Sequence, residues 1–122
     1  KAKKNYLIAI DIDGNLAEAH YYLGKLVLSG LQNDTDGSLV EKPEYDEALI
    51  HFKKAISINK HYAKAHYNLA LVHKIKKNYN ESRKHFEKAI KIVDNYAKAH
   101  FHLAMLLKET GEVFEVKSSQ VT

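Results

Sequence analysis

The sequence predicts an all-α protein built from repeated helical hairpins. The stretch "HYAKAHYNLA" beginning at His61 returns as "NYAKAHFHLA" beginning at Asn95, one block of 34 residues later. Within the block, apolar and small residues recur at helical spacing, without the alternation typical of a strand. The 122 residues include one proline and five glycines, fewer than strands joined by tight turns would need.

The first two predicted helices lie before and after a short junction at Asp13 and Gly14. Residues 1–12 have the apolar spacing of a second hairpin helix, carried by Ala2, Tyr6 and Ala9. An Asp-Gly pair is typical of a point where one helix stops and another is capped. The next helix starts at Ala17, and its buried stripe is His20, Leu23, Gly24 and Val27, at i, i+3, i+4 and i+7. Residues 1–16 are therefore assigned to the second helix of a partial repeat.

The next unit, residues 17–62, carries an insertion between its two helices. Leu23 to Tyr45 spans 22 residues, where the corresponding step in the following unit spans 10, an excess of 12. Segment 29–44 is rich in the Gly, Asp, Asn, Ser and Pro of a loop. It is either a functional lip or a tolerated surface insertion, and both readings stay open. The second helix of this unit has the stripe Tyr45, Ala48, Phe52 and Ala55.

Residues 63–96 form the complete unit, and residues 97–111 the first helix of a last one. The two helices of the complete unit have the stripes His66, Leu69, Ala70 and His73, then Tyr79, Ser82, Phe86, Ala89 and Ile90. The last helix repeats the first stripe with His100, Leu103, Ala104 and Leu107, and Gly111 stands at its end. Small residues fall where paired helices need close approach. Residues 112–122 are left as a tail.

These spacings resemble the tetratricopeptide repeat family over about residues 1–111. The family pattern is W-x2-L-G-x2-Y, then A-x3-F, then A and P within 34 residues. Here His20, His66 and His100 replace the opening Trp, and Lys60 and Asp94 stand where proline is usual. The resemblance implies a right-handed α-solenoid whose concave groove, lined mainly by the first helix of each hairpin, binds a partner. It also implies a non-enzymatic protein–protein interaction module.

The resemblance places the candidate peptide-binding groove on first-helix residues that lie outside the packing stripes. These are Tyr21, Tyr22, Lys25, Lys64, Tyr67, Asn68, Leu71, Lys98, Phe101, His102 and Met105. The equivalent residues Tyr21, Tyr67 and Phe101 are expected to form an aromatic ladder flanked by Lys64 and Lys98. Such a surface suits an extended peptide with acidic residues or a free carboxylate. The alternative, left open, is that these aromatic rings pack against the neighbouring repeat.

The charge distribution is uneven along the chain. Residues 51–108 contain 13 basic and 3 acidic side chains, within a total formal charge of +4. This region either attracts an acidic partner or forms an ordinary lysine-rich helix surface. The lysines are spread over several helix faces, which is a weak footprint for nucleic acid, so we expect no nucleic-acid partner.

Other functional classes find little support in the sequence. No Gly-x-Ser-x-Gly motif or phosphate-binding glycine loop is present, so we expect no enzyme and no cofactor. The calcium-like strings "DIDG" at Asp11 and "DTDG" at Asp34 lack ligands at both ends of the required loop. The eight histidines are spread one per repeat or over different faces, so we also expect no metal. The absence of a long apolar run predicts no membrane association, and we expect a cytoplasmic protein.

The two terminal helices predict that copies of the chain associate with one another. Each is half of a hairpin and is expected to expose an apolar stripe, namely Tyr6, Ile8, Ala9 and Ile12 at one end and His100, Leu103, Leu106 and Leu107 at the other. A self-associating scaffold is therefore an alternative to the peptide-binding module. A further alternative is an accessory repeat domain of a larger enzyme.

Overall fold

The part of the chain that the structure describes forms a row of six α-helices with one small β-ribbon. The structure, a computed structural model, describes residues 2–29, 31–33, 39–41 and 44–111. The elements in chain order are α1 (Ala2–Ile12), α2 (Ala17–Ser29), β1 (Leu31–Asn33), β2 (Leu39–Glu41), α3 (Tyr45–Ile58), α4 (Ala63–Ile75), α5 (Tyr79–Ile92) and α6 (Ala97–Thr110). The predicted all-α helical-repeat class is confirmed. Within the described residues, no helix is long and apolar enough to cross a membrane.

The helices pack in the order in which they occur along the chain. The largest interfaces are α2 with α3 and α4 with α5, the two helical hairpins. Smaller interfaces join α1 to α2, α3 to α4, and α5 to α6, while α4 also touches α6. Because each helix contacts mainly its neighbours, the array extends as a solenoid. The first helices of the hairpins, α2, α4 and α6, begin at Ala17, Ala63 and Ala97.

The core consists of two clusters, one for each hairpin. The equivalent Phe52 and Phe86 are fully buried at their centres. The first cluster contains Tyr21, Leu23, Val27, Ala48, Leu49, Phe52, Ala55, Ala65, Leu69 and Val72; the second contains Tyr67, Ala70, Phe86, Ala89, Ala99 and Leu106. Ala65 and Leu69 of α4 belong to the cluster of the preceding hairpin, so the core is continuous from one repeat to the next.

Close approach of the two helices depends on small residues in the first helix of each hairpin. A Cβ atom added at Gly24 would lie 2.8 Å from Phe52 Cε1 and 3.2 Å from His51 Cβ. In the next hairpin, Ala70 occupies the equivalent position, and its carbonyl accepts a buried 2.8 Å hydrogen bond from the Ser82 hydroxyl. The small residues therefore bring the helix backbones close enough for the phenylalanine rings to fill the interface.

The repeated histidines connect each first helix to the turn before it. His20 Nε2 lies 3.2 Å from the Gly14 carbonyl, His66 Nε2 lies 3.0 Å from the Lys60 carbonyl, and His100 Nε2 lies 2.8 Å from the Asp94 carbonyl. In each copy the ring N–H donates to the carbonyl six residues earlier. In the first two copies a single buried ring thus packs between helices and also fixes the inter-repeat turn, whereas the exposed His100 makes only the bond to the turn.

Three histidine rings line up inside the α4–α5 hairpin. His85 stacks between His66, at a centroid distance of 5.2 Å, and His73, at 6.1 Å. The Nδ1 atoms of His66 and His85 are 3.0 Å apart. Since His66 donates through Nε2 to a backbone carbonyl, its Nδ1 is the acceptor and His85 Nδ1–H is the donor. This bond can form only while at most one of the two rings is protonated.

The insertion differs from its prediction as a loop. Strands β1 and β2 pair antiparallel, with Leu31 opposite Glu41, Gln32 opposite Val40 and Asn33 opposite Leu39. Strands of three residues are too short to show a period in the sequence, and the ribbon depends on pairing between two such segments. The "DTDG" string and the 112–122 tail lie outside the described residues. The division of the chain into repeat units remains a prediction.

We expect Gly24→Ala to destabilise the protein, although alanine is the better helix former. The added methyl group would overlap the buried Phe52 ring, and overpacking of this kind costs about 1–3 kcal/mol. The gain in helix propensity, about 1 kcal/mol, offsets only part of that cost. Urea unfolding followed by circular dichroism measures the difference. Gly14→Ala is the matched control, because its Cβ would meet only the Ile10 carbonyl at 3.7 Å. Equal midpoints for the two variants would contradict this packing.

We expect the fold to weaken as the pH falls below the ordinary histidine pKa of 6.5. Burial, followed by nearby cations and histidines, lowers the pKa of His85 to about 3, and burial also lowers the pKa of His66 and of His73. For a lowered folded-state pKa, the stabilisation is complete above pH 6.5 and is lost as the pH drops toward the folded-state value. Each such histidine adds a slope of up to about 1.4 kcal/mol per pH unit.

Urea titrations at pH 7.5 and pH 5.0 measure this effect. We expect the free energy of unfolding to be lower at pH 5.0 by at least about 2 kcal/mol. His85→Gln should reduce the difference, whereas His61→Gln at an exposed position should preserve it. A parent protein that is equally stable at both pH values would show that the stacked rings are not held neutral by the fold.

Candidate functional site

Two of the three predicted ladder residues are buried between repeats. Tyr21 is 4% exposed and lies 5.9 Å from Phe52 and 5.0 Å from Tyr62, ring centre to ring centre. Tyr67 is 8% exposed and repeats this arrangement, at 5.9 Å from Phe86 and 5.1 Å from Tyr96. The expectation of an exposed ladder is wrong for these two rings. They follow the alternative that was left open and pack against the neighbouring repeat.

Phe101 occupies the third ladder position in a different environment. Its ring is 61% exposed and makes an edge contact with the adjacent His102 at 5.3 Å. Tyr21 and Tyr67 are each covered by a tyrosine that immediately precedes the next first helix. No described residue supplies the equivalent tyrosine for Phe101. Equivalent positions therefore differ in exposure because their neighbours differ.

Tyr62 and Tyr96 are partly exposed residues that the predicted groove did not include. Each directly precedes a first helix, and each belongs to the repeated "YAKAH" string that identified the repeat. Their rings are half-buried against Tyr21 and Tyr67. Burial, followed by nearby negative or phenolic groups, raises the pKa of both hydroxyls to about 12. Each hydroxyl is protonated at neutral pH, as in an ordinary tyrosine, and can donate a hydrogen bond.

Asn68 holds two repeats together, in place of the open groove position predicted for it. Its side-chain amide is buried and donates to the Tyr21 hydroxyl at 3.1 Å and to the Lys64 carbonyl at 2.8 Å. A buried amide with both protons committed to the protein has no donor left for a ligand. The prediction that Asn68 lies in the open groove is therefore wrong. Asn68 lies within the contact between repeats.

A cleft of about 670 Å³ lies between the starts of α4 and α6, and we call it the tyrosine cleft. The predicted residues Lys64 and Lys98 line it at the second position of each helix. The complete lining is Asn59, His61, Tyr62, Ala63, Lys64, Val93, Asn95, Tyr96, Ala97 and Lys98. None of these side chains is acidic. The cleft thus combines two ammonium groups, two aromatic rings and polar turn residues.

A second cleft lies toward the other ends of the first helices, and we call it the leucine cleft. Its volume is about 460 Å³, and its lining is Leu28, Tyr45, Leu71, Lys74, Ile75, His102 and Glu109. Two predicted residues, Leu71 and His102, lie here. Lys74 and Glu109 form an ion pair at 3.7 Å, so this cleft contains both signs of charge. Burial, followed by Lys74 and Lys98, lowers the pKa of His102 and keeps the ring neutral.

The remaining predicted residues lie outside both clefts. Tyr22 is exposed and stacks on Tyr6 of α1 at 6.2 Å. Lys25 and Met105 are exposed on α2 and α6. The structure therefore brings Lys64 and Lys98 together in one cleft and Leu71 and His102 together in another, and it separates Tyr22 and Lys25 from both. Among the described residues, no group of three His, Cys, Asp or Glu side chains is placed to hold a metal ion.

Comparisons with solved structures show the same fold. A crystal structure of MamA matches with a TM-score of 0.72 at 22% identity, over 90% of this chain and 57% of that one. YrrB matches with a TM-score of 0.72 at 21% identity, over 88% of this chain and 49% of that one. A mutant Thermobaculum terrenum O-GlcNAc transferase matches at 0.69 and 22% identity, over 86% of this chain and 18% of that one. The chain thus spans little more than half the length of MamA.

Family models match the middle of the chain. A model described as TPR repeat matches residues 38–76, and one described as Tetratricopeptide repeat matches residues 63–96. The search of curated proteins gave no significant match. Together the two overlapping matches cover residues 38–96, which contain the helices α3, α4 and α5. The chain therefore contains tetratricopeptide repeats, over residues 38–96.

Proposed function

We propose that this protein is a non-enzymatic interaction module that binds an extended acidic peptide at the tyrosine cleft. Tetratricopeptide repeats serve in general as protein–protein interaction modules, and the repeat matches support that broad role here. The proposal of an acidic peptide rests on one observation. Lys64 and Lys98 line the same cleft, and no carboxylate lines it. An acidic side chain or a terminal carboxylate would supply the missing negative charge.

The backbone adds to the positive potential of the cleft. Lys64 and Lys98 are the second residues of α4 and α6. The first backbone N–H groups of a helix lack intrahelical acceptors, and the helix dipole places partial positive charge at this end. Neither Tyr62 nor Tyr96 satisfies these groups with a side-chain capping bond. Two helix starts and two lysines therefore face the same space.

The tyrosines supply the remaining recognition chemistry. Tyr62 and Tyr96 are partly exposed, and their protonated hydroxyls are donors that match a carboxylate acceptor. Their rings also offer apolar area to a peptide side chain. Because both rings pack on buried tyrosines, they are held in place before a ligand binds, which lowers the entropy cost of binding.

The fold comparison is consistent with peptide binding. The YrrB structure is described as that of "a TPR protein with an unusual peptide-binding site". At 21% identity this likeness extends to the fold alone. The peptide-binding proposal for the present chain therefore depends on its own lysines and tyrosines.

Self-association is a second candidate function, favoured by the exposed apolar side chains of the terminal helices. Ile12 is 80% exposed, and Leu7 and Ile8 are exposed on the same helix, α1. On α6 the exposed apolar residues are Phe101 and Met105. Leu106, expected in the apolar stripe, is instead buried in the core. The exposed apolar residues of α1 and α6 thus differ from the predicted stripes. Each of the two helices still exposes apolar side chains.

We expect reversal of the two cleft charges, Lys64→Glu with Lys98→Glu, to weaken binding of an acidic peptide by at least about tenfold, because attraction becomes repulsion. The probe is a synthetic nonapeptide of alternating Glu and Leu, with Gln in place of Glu as the peptide control. Backbone amide shifts of Tyr62 and Tyr96, which the substitutions leave unchanged, report binding at this cleft. Lys53→Glu with Lys54→Glu changes the net charge equally on the exposed surface of α3. If the Lys64 and Lys98 variant binds the acidic peptide as tightly as the Lys53 and Lys54 variant does, the proposal is contradicted.

If copies of the chain associate through the exposed face of α1, we expect the double variant Ile8→Glu with Ile12→Glu to lose this association. Each substitution places a charge where apolar surface would be buried between copies. Sedimentation velocity over a range of concentrations measures the mass. Ile50→Glu is the matched control, since Ile50 is 65% exposed on α3, away from the terminal helices. A parent chain that stays monomeric at all concentrations would remove this candidate function.

A further inference from the structure

A third cleft lies between the last turns of α3 and α5 and the start of α4. Its volume is about 700 Å³, and we call it the lysine cleft. Its lining is Ile56, Lys60, His61, His66, Lys88, Lys91 and Ile92. Three ammonium groups and two imidazoles thus surround a space that no carboxylate lines. Ile56 and Ile92, from equivalent second helices, provide apolar walls.

The lysines of this cleft are not balanced by neighbouring acidic residues. Within the described part of the chain, none of Lys60, Lys88 and Lys91 forms an ion pair. By contrast, Lys74 pairs with Glu109 at 3.7 Å, and Lys76 pairs with Asp46 at 2.7 Å. Like charges gathered without counter-charges repel one another and give a cleft a positive potential.

The buried histidines respond to this positive potential. Lys88 is among the causes that lower the pKa of both His66 and His85, after burial. His66 lines the cleft directly, and its ring also bonds the backbone carbonyl of Lys60. The stacked histidine rings of the α4–α5 hairpin are thus electrostatically coupled to the lysines at the surface.

We propose that the lysine cleft is a second binding site, separate from the tyrosine cleft, for an acidic peptide segment of a partner protein. The lysines match carboxylate side chains, and the two isoleucines match an apolar side chain between them. Charge complementarity and the mixed apolar and cationic lining favour a peptide with both kinds of residue over a purely anionic polymer. His61 lines both clefts, so the two sites adjoin at the turn between α3 and α4.

Binding at this site is linked to the protonation of His66 and His85. A bound carboxylate reduces the field of Lys88, which favours the charged form of both rings and raises their pKa. By reciprocity, the affinity for the peptide rises as the pH falls and His66 becomes protonated, over the pH range in which the glutamates of the peptide stay ionised. The groups that act on His66 are the Lys60 carbonyl, Lys88 and His61, and those that act on His85 are His66, Lys88, His73 and Lys84. Lys53 of α3, Lys76 after α4 and Glu81 of α5 act on the stacked His73. Glu81 opposes the cations, with its carboxylate 3.8 Å from His85 Nε2.

The experiment follows the titration of individual histidine rings by NMR in the full chain. The probe is the alternating Glu–Leu nonapeptide, and its Gln–Leu counterpart is the uncharged control. We expect the acidic peptide to shift the titration midpoint of His66 upward by roughly half a pH unit or more, and the Gln–Leu peptide to leave it unchanged. An unchanged midpoint at saturating acidic peptide would overturn the proposal.

Charge-reversal variants assign the effect to this cleft. Lys88→Glu with Lys91→Glu should abolish the peptide-induced shift of His66, whereas Lys64→Glu with Lys98→Glu, in the tyrosine cleft, should retain it. Lys88 and Lys91 are exposed, so both variants are expected to fold, which circular dichroism checks. Loss of the shift in the Lys64 and Lys98 variant alone would show a single site at the tyrosine cleft and overturn the second site.

Two further outcomes test the chemistry of the ligand. The control variant Lys53→Glu with Lys54→Glu lowers the net charge by the same amount as the Lys88 and Lys91 variant. If the control loses the His66 shift to the same extent, the effect is one of general charge, and a defined site is contradicted. Single-stranded oligodeoxythymidine, a purely anionic polymer, is expected to bind weakly and to be displaced by the peptide. Displacement of the peptide by this oligonucleotide would make the cleft a nucleic-acid surface and overturn the assignment to an acidic peptide.

Discussion

Close approach of paired helices is the constraint on which the rest of this structure depends. At Gly24 there is no room for even a methyl group beside Phe52, and at Ala70 the backbone carbonyl is near enough to accept a bond from Ser82. Only at this separation do Phe52 and Phe86 fill their interfaces completely. The two hairpins then become similar rigid units that stack through a continuous core.

The same dense packing explains the use of histidine in this chain. A ring between helices must fill space, and its buried polar atoms must find partners. His66 meets both needs, because its Nε2 donates to the carbonyl of Lys60 and its Nδ1 bonds His85; His20 and the exposed His100 share the bond to the preceding turn. Because the bond fixes the turn, it also fixes the residues that immediately precede and follow the start of each first helix. The positions of Tyr62, Lys64 and their equivalents follow from that bond.

Packing between repeats separates residues that hold the array together from residues that remain available to a partner. Tyr62 and Tyr96 cover the buried tyrosines of the preceding repeat, and Asn68 ties the Tyr21 hydroxyl to α4. The lysines next to these contacts stay exposed because a long charged side chain keeps its ammonium group in water. The turn after α3 consequently has cationic clefts on two sides, with His61 common to both.

By itself, the sequence determined the helices and their order. Helical periodicity and the 34-residue repeat are local patterns, and Ala17, Ala63 and Ala97 begin helices as the repeat indicates. Only the tertiary structure decided which equivalent residues are exposed. Tyr21 and Tyr67 are buried and Phe101 is not, since exposure depends on a tyrosine supplied by the next repeat. The lysine cleft likewise joins Lys60, Lys88 and Lys91 from different elements, and the β-ribbon joins two segments with no periodic signal of their own. For the tyrosines and for the lysine cleft, the deciding contacts connect residues far apart in the chain, which a local pattern cannot report; for the ribbon, strands of three residues are too short to show a period.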